Sequence, residues 1–231
     1  MGAAIGWGGL AASSLVLGAL LGGARRWPDR AVGLVLAFGA GALISAVSFD
    51  LAAEGAKLGD HGITAIGLAA GALTYFTLDR VVGRKSSRGG GTSLALGAFL
   101  DGIPEQLVLG IGIATGGGVS IGLLVAIFVS NLPEAIGSSA DMRQAGRRNG
   151  AIQRLWVGVA LVCAASTVVG YGIADTVSGN LHAAVDGFAA GALLVMLIDT
   201  MIPEAVRKGR DWAGLVTVLG FAVAAALDGL S

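Results

Sequence analysis

The sequence predicts an all-α polytopic membrane protein with eight spanning helices, in a single integral membrane domain over residues 1–231. Three observations support this prediction. Hydrophobic residues make up 55% of the chain and charged residues only 13%, whereas a soluble domain is about one quarter charged. Eight apolar stretches are each long enough to cross a bilayer, which takes ~20 residues. The basic residues cluster in every second connection between these stretches.

The eight stretches are numbered spans 1 to 8 in chain order. Their approximate bounds are 5–23, 31–54, 62–82, 92–114, 118–142, 151–174, 182–206 and 211–229. No basic residue precedes Arg25, so we interpret span 1 as a retained helix and not as a signal peptide. The 40 glycines, with only 4 prolines, indicate helices that pack closely in lipid. The single cysteine, Cys163, excludes a disulfide framework. The net charge of zero does not indicate the basic surface that binds nucleic acid.

The placement of lysine and arginine predicts the orientation. Of the 15 basic residues, 14 lie in the connections that follow spans 1, 3, 5 and 7, and Lys57 is the exception. Basic connections remain on the cytoplasmic side of a membrane. We therefore expect both termini outside and the protein in the plasma (cytoplasmic) membrane.

An internal repeat relates spans 2 and 7. Residues 38–43 read FGAGAL and residues 188–193 read FAAGAL, at an offset of 150 that also places Glu54 on Glu204. Span 2 is expected to run outward and span 7 inward, so the two copies are inverted, as in many secondary transporters. The motifs of spans 4 and 5 also align. We expect a three-plus-two-plus-three arrangement around a pseudo-twofold axis.

Spans 4 and 5 each carry a proline–glutamate pair near the centre, in residues 101–105 (DGIPE) and 130–134 (SNLPE). A carboxylate in hydrocarbon costs several kcal/mol unless it is paired, coordinated or wetted. Proline removes a backbone donor and frees a carbonyl one turn earlier. Helical spacing places two pairs of oxygen-bearing side chains on shared faces: Asp101 with Glu105, and Ser130 with Glu134. No lysine or arginine lies nearby, so a metal ion or a proton must neutralise these carboxylates.

Other acids lie near the ends of spans 2 and 7. Asp50 and Glu54 are four residues apart towards the outer end of span 2. Glu204 lies at the inner end of span 7, where Pro203 frees the carbonyl of Asp199. We interpret these four acids as the two ends of a cation path.

Together these features resemble the ZIP family of divalent metal transporters. In that family the fourth helix typically reads His-Asn-x-Pro-Glu-Gly and the fifth reads similarly, with metal bound by the histidine, asparagine and glutamate. The resemblance implies metal transport through a site built from Asp101, Glu105, Ser130, Asn131 and Glu134. It also implies alternating access, no prosthetic group, and a metal ion and the lipid bilayer as partners, and it allows a homodimer.

The departures from the family motif bear on the metal. Asp101 and Ser130 replace the two motif histidines, Gly102 replaces the asparagine of the first motif, and Gln106 replaces its closing glycine. The remaining ligands are hard oxygen donors, which suit manganese, magnesium or ferrous iron better than a site with histidine would. Zinc also binds carboxylates. The choice of metal therefore stays open.

Several alternatives also stay open. A relative that has lost metal binding and moves protons or another small solute would explain the missing histidines. An intramembrane hydrolase is opposed by the lack of a nucleophile–base pair, and a sensor or assembly protein by the lack of a soluble output domain. We therefore expect a transporter and not an enzyme. The two histidines, His61 and His182, are expected in outer loops, in contact with solvent.

Overall fold

The computed structural model describes the backbone of residues 1–25, 27–52, 61–86, 92–114, 121–174 and 179–228, and every regular element in these ranges is a helix. The α-helices are α1 (Gly2–Ala24), α2 (Asp29–Ala46), α3 (His61–Ser86), α4 (Thr92–Ala114), α5 (Ile121–Gln144), α6 (Asn149–Ala174), α7 (Gly179–Met196), α8 (Ile202–Gly209) and α9 (Ala213–Asp228). The prediction of an all-α protein is confirmed. Helices α1 to α7 correspond to spans 1 to 7, α8 continues α7, and α9 corresponds to span 8.

Six helical runs in the described ranges are long and apolar enough to cross a membrane. They are Gly2–Ala24, Asp29–Phe49, His61–Val81, Ile121–Gln144, Asn149–Ala174 and Gly179–Leu227. Within α4, Gly102–Ala114 is a shorter apolar helix. The length and composition of these runs fit a protein embedded in a membrane.

Two π-helical segments interrupt the bundle at related positions. The first, Val47–Ala52, continues α2, and the second, Leu197–Met201, joins α7 to α8. They begin 150 residues apart, which is the offset of the sequence repeat. Short π segments inside helices are uncommon and often lie at functional sites. The repeat thus extends from residue identity to backbone geometry.

The long run from Gly179 to Leu227 is broken a second time after α8. A 3₁₀ turn, Arg210–Trp212, follows α8, and Arg210 has a φ of 54°. α9 then lies along α2, whose Gly41 contacts the backbone of Thr217. The chain therefore changes direction at Arg210.

In the described ranges, glycines bring four pairs of helices into close contact. In three pairs successive contacts rise together in residue number, so these helices run parallel: α1 with α5 (Gly18 at Leu132, Gly22 at Ile136), α3 with α7 (Gly67 at Ala184, Gly71 at Phe188) and α4 with α6 (Gly102 at Cys163, Gly110 at Thr167). The fourth pair is α2 with α9 (Gly41 at Thr217, Gly220 at Phe38). Gly209, at the end of α8, contacts Gly33 near the start of α2, so α9 begins at the same end of the bundle as α2 and runs parallel to it. Close approach at small residues is the usual way helices pack in lipid, where no hydrophobic force drives them together.

Large apolar side chains cover the outside of the bundle, and small ones fill much of its interior. Ile66 is 71% exposed and Leu215 is 66% exposed, whereas Ala37 and Ala40 are fully buried. In water such an exposed surface would cost free energy. Against lipid tails it costs little, so this distribution also fits a membrane environment.

Candidate functional site

The two proline–glutamate motifs meet where α4 contacts α5. Pro104 lies inside α4 and Pro133 lies inside α5. Glu105 and Ser130 are both 1% exposed, and the Ser130 hydroxyl lies 3.4 Å from Oε1 of Glu105. The structure thus brings together one predicted ligand from each motif, although they are 25 residues apart in the chain.

The Ser130 hydroxyl has only one proton for two neighbouring oxygens. It can donate to the Ile127 carbonyl at 3.0 Å or to Oε1 of Glu105 at 3.4 Å. The geometry thus places a hydroxyl beside the buried carboxyl of Glu105.

Helix α2 closes one side of this contact without contributing a side chain. An ideal Cβ on Gly39 would lie 3.0 Å from Cα of Ser130 and 3.1 Å from its amide nitrogen. Such a contact is tighter than ordinary van der Waals packing, so a larger residue at position 39 would push α2 away from α5. Gly39 thus allows three helices to converge at Ser130.

Asn131 and Glu134 continue the predicted ligand set along α5. Asn131 is 1% exposed, and its Nδ2 atom has no hydrogen-bond partner within the part of the chain that the structure describes. An unsatisfied buried polar group costs about 1–3 kcal/mol. Glu134 lies one turn beyond Ser130 and is partly exposed. Nδ2 is a hydrogen-bond donor, so a water molecule or another acceptor oxygen would satisfy it, whereas a cation would be bound by Oδ1 of the same amide.

The structure describes only part of the remaining predicted ligand set. In the described ranges, no group of three histidine, cysteine or acidic side chains is close enough to hold a metal ion. Glu54 and the side chains of Asp50 and Asp101 lie outside the described residues. A complete ligand shell around Glu105 would therefore need hydroxyl, amide or carbonyl oxygens, or Asp101.

The acids at the end of α7 and in α8 have different surroundings from each other. Asp199 is exposed in the second π segment. Glu204 lies 2.7 Å from Nζ of Lys208 and 3.5 Å from an Nη atom of Arg207. Glu204 was expected to be an acid of the cation path, and these ion pairs were not predicted. The spacing of Glu204 and Lys208, four residues apart on a helix, is the signal that predicts them.

Two further buried contacts link α4 to α6 beside the motif. The Thr167 hydroxyl donates to Oε1 of Gln106, and both side chains are fully buried. Sγ of the buried Cys163 lies 2.7 Å from where a Cβ on Gly102 would be. Gly102 therefore leaves room for Cys163. Neither contact could be predicted, because nothing in the sequence aligns α4 with α6.

The expectation that both histidines lie in outer loops, in contact with solvent, is wrong for His182. His61 is the exposed first residue of α3, and His182 lies in α7, where it is partly buried. The cause is the early start of α7, three residues before the predicted span. One turn further on, Asp186 is 4% exposed and precedes Gly187, which contacts the backbone of Thr64 in α3. Asp186 thus belongs to the contact between α7 and its neighbours.

Comparison of the sequence with protein-family models and with curated proteins gives no match.

Proposed function

We propose that this protein is a membrane transporter that moves divalent metal cations through a carboxylate-lined site between α4 and α5, as the resemblance to the ZIP family implies. The observation that carries the proposal is the buried contact between Glu105 and Ser130. It joins the two motifs inside an apolar bundle. A carboxylate at such a place is a functional-site hypothesis by default.

The proposal includes eight membrane passes with both termini outside. The run Gly179–Leu227 has 49 residues, which as one straight helix would be roughly 73 Å long. A bilayer core of ~30 Å accommodates this run only as two passes, and the break at Arg210 supplies the turn. α4 has 23 residues, enough for one further pass. The parallel pairs agree with strict alternation of direction along eight passes.

The inverted repeat supports alternating access. The proposed pseudo-twofold axis relates spans 1, 2 and 3 to spans 6, 7 and 8, and it relates span 4 to span 5. This rotation converts the helix pair α1–α5 into α6–α4. It also converts the pair α2–α9 into α7–α3. The four glycine-mediated pairs therefore exchange with one another, and the two π segments do so as well. Related halves that exchange conformations around a central site are the usual basis of secondary transport.

The chemistry of the site favours a hard cation. Glu105, Ser130 and Asn131 offer carboxylate, hydroxyl and amide oxygens, and Pro104 and Pro133 each free one backbone carbonyl. Oxygen ligands suit manganese, magnesium and ferrous iron, and zinc also accepts carboxylates. In this proposal Asp50 and Glu54 receive the ion and Asp199 and Glu204 release it.

A second candidate function has one observation in its favour. Within the described residues no three acidic, cysteine or histidine side chains gather into a metal-binding group, and a buried carboxylate beside a hydroxyl, as at Glu105 and Ser130, also suits proton transfer. A relative that moves protons or another small solute is therefore the alternative. Metal and proton flux separate the two functions.

The test is flux into liposomes that contain the purified protein. A trapped metal-sensitive dye reports Mn²⁺, Fe²⁺, Zn²⁺ or Cd²⁺ entry, and a trapped pH dye reports protons in parallel. Glu105→Gln/Glu134→Gln is expected to lower metal flux about tenfold or more, because each lost charged contact is worth about 1.5–3 kcal/mol. Asp211→Asn removes an exposed carboxylate and is expected to leave flux unchanged. Absence of metal flux, or equal flux in the double variant, would contradict metal transport. Proton flux that the double variant loses would then favour the alternative.

A further inference from the structure

A basic cleft lies at one end of the bundle, away from the site between α4 and α5. It has a volume of about 450 Å³ and is lined by Pro28, Asp29, Arg30, Arg207, Lys208 and Arg210. Four of these six residues are cationic and one is acidic. We propose that this cleft binds the phosphate group of an anionic phospholipid. The inference does not depend on metal transport.

Among the described residues, two of the four cations in the cleft have no ion-pair partner. Arg207 and Lys208 share the carboxylate of Glu204. In the part of the chain that the structure describes, neither Arg30 nor Arg210 lies within ion-pair distance of a carboxylate. Guanidinium groups bind phosphate through two parallel hydrogen bonds, which is a geometry that lysine lacks. The cleft therefore holds two arginines ready for an external anion.

The start of α2 adds further donors to the same cleft. Pro28 precedes α2 and offers no side-chain cap, so the first amides of the helix, at Asp29 and Arg30, depend on solvent or a ligand. A helix N-terminus also carries a partial positive charge that favours anions. These amides lie among the cations and reinforce their effect.

Backbone contact fixes the two walls of the cleft relative to each other. An ideal Cβ on Gly33 would lie 2.6 Å from the carbonyl carbon and from Cβ of Lys208. The first turn of α2 and the end of α8 therefore touch directly. The cations belong to a preformed cleft and do not depend on a mobile loop to bring them together.

Arg210 occupies a strained backbone position in this cleft. Its φ of 54° and ψ of −136° lie in a sparsely populated region that costs an ordinary residue about 1–3 kcal/mol and that glycine adopts readily. Glycine instead stands one position earlier, where Gly209 packs against Gly33. The chain thus places a guanidinium at a position where glycine would be free of strain. An observed outlier of this kind supports a hypothesis of function.

The location of the cleft favours a lipid as the source of the phosphate. Arg143 of α5 donates to the carbonyl of Gly23, so the ends of α1 and α5 lie together at the same end of the bundle. This end also carries Trp27, whose ring lies 4.2 Å from the guanidinium of Arg25. Basic residues and tryptophans mark the membrane surface, where the headgroups of anionic lipids lie.

The experiment measures thermal unfolding of the purified full chain in maltoside micelles. One arm adds dioleoylphosphatidylglycerol, with dioleoylphosphatidylcholine as the comparison, and the other adds inorganic phosphate without lipid. A ligand that binds only the folded state raises the unfolding temperature. Phosphatidylglycerol is expected to raise the wild-type Tm by about 3 °C more than phosphatidylcholine does, which corresponds to about a tenfold excess over Kd.

Matched variants separate the cleft from general charge. Arg30→Gln/Arg210→Gln is expected to lose the response to phosphatidylglycerol. Arg147→Gln/Arg148→Gln removes two exposed arginines between α5 and α6, at the same end of the bundle, and is expected to keep it. Arg210→Gly relieves backbone strain, so it is expected to unfold no earlier than the wild type without lipid and yet to respond less to phosphatidylglycerol. This variant keeps the test valid if the double variant fails to fold.

Each outcome supports or overturns the proposal. A response to phosphatidylglycerol alone that the cleft variants lose supports a lipid site. An additional response to inorganic phosphate, lost in the same variants, supports the phosphate chemistry and shows that free phosphate also fills the cleft. A response to phosphate alone overturns the lipid as the source. No response in the wild type, or an equal loss in Arg147→Gln/Arg148→Gln, overturns the site.

Discussion

Replacement of Gly41 by alanine tests whether the backbones of α2 and α9 touch. An ideal Cβ on Gly41 would lie 2.7 Å from the carbonyl carbon of Thr217 and 2.8 Å from the amide nitrogen of Phe221. Carbon atoms pack at about 3.5–4.0 Å, so the two helices would have to separate by about 1 Å. A gap of this size removes a quarter to a half of the dispersion energy of each contact it affects. Backbone atoms cannot rotate away, so Gly41→Ala is expected to cost about 1–3 kcal/mol.

The matched control is Gly158→Ala in α6. A Cβ at Gly158 would meet nothing within 4 Å, so the variant should gain helix propensity worth up to about 1 kcal/mol. The two substitutions are chemically identical and differ only in surroundings. In thermal unfolding in detergent, Gly41→Ala is expected to unfold roughly 5–10 °C below Gly158→Ala. Equal unfolding temperatures would show that α2 and α9 do not pack in this register.

Two other substitutions test single polar contacts. Thr167→Val removes the hydroxyl that donates to Gln106 and is expected to lower the free energy of unfolding by about 1–3 kcal/mol, measured by thermal unfolding. Thr167→Ser keeps a hydroxyl and should lower it much less. Equal losses of stability in the two variants would mean that the hydroxyl contributes nothing. Lys208→Gln releases Glu204 and is expected to raise metal flux about two- to fivefold, the range set by a partly exposed ion pair. Arg207→Gln, whose side chain is 72% exposed, should leave flux unchanged, and an equal effect of both variants would contradict a specific role for Lys208.

Hydrophobic length and charge placement predicted the helices well because both are local properties of the chain. The bounds of α4 and α6 illustrate this, since residues 92–114 match the predicted span fully and Asn149–Ala174 begins two residues early. Neighbouring helices were harder to predict. The 40 glycines indicated close packing, but the sequence does not distinguish Gly41, which touches another backbone, from Gly158, which touches nothing. That difference depends on helix pairing, which is not local.

The candidate site was predicted in composition but not in detail. The proline–glutamate motifs pointed to Glu105 and Ser130, and these side chains are neighbours in the structure. The same motifs gave no indication that Gln106 would bond to Thr167, because that contact depends on how α4 and α6 align. Glu204 was interpreted from its repeat position and from its place beside Pro203. Its pairing with Lys208 follows from helical spacing, so this omission was avoidable.

The two π segments connect the repeat to the proposed transport cycle. Pro203 predicts a disturbance near Asp199, and the segment Leu197–Met201 lies there. The equivalent segment Val47–Ala52 forms although residue 53 is alanine and not proline. The irregular backbone therefore does not depend on proline alone. Gly41 and Gly191 are also related by the offset of 150, and each contacts the backbone of a parallel partner helix. In the proposed cycle, the pairs α2–α9 and α3–α7 would move as rigid units with a π segment at the end of each. This arrangement leaves the kinked helices α4 and α5 to hold the ion.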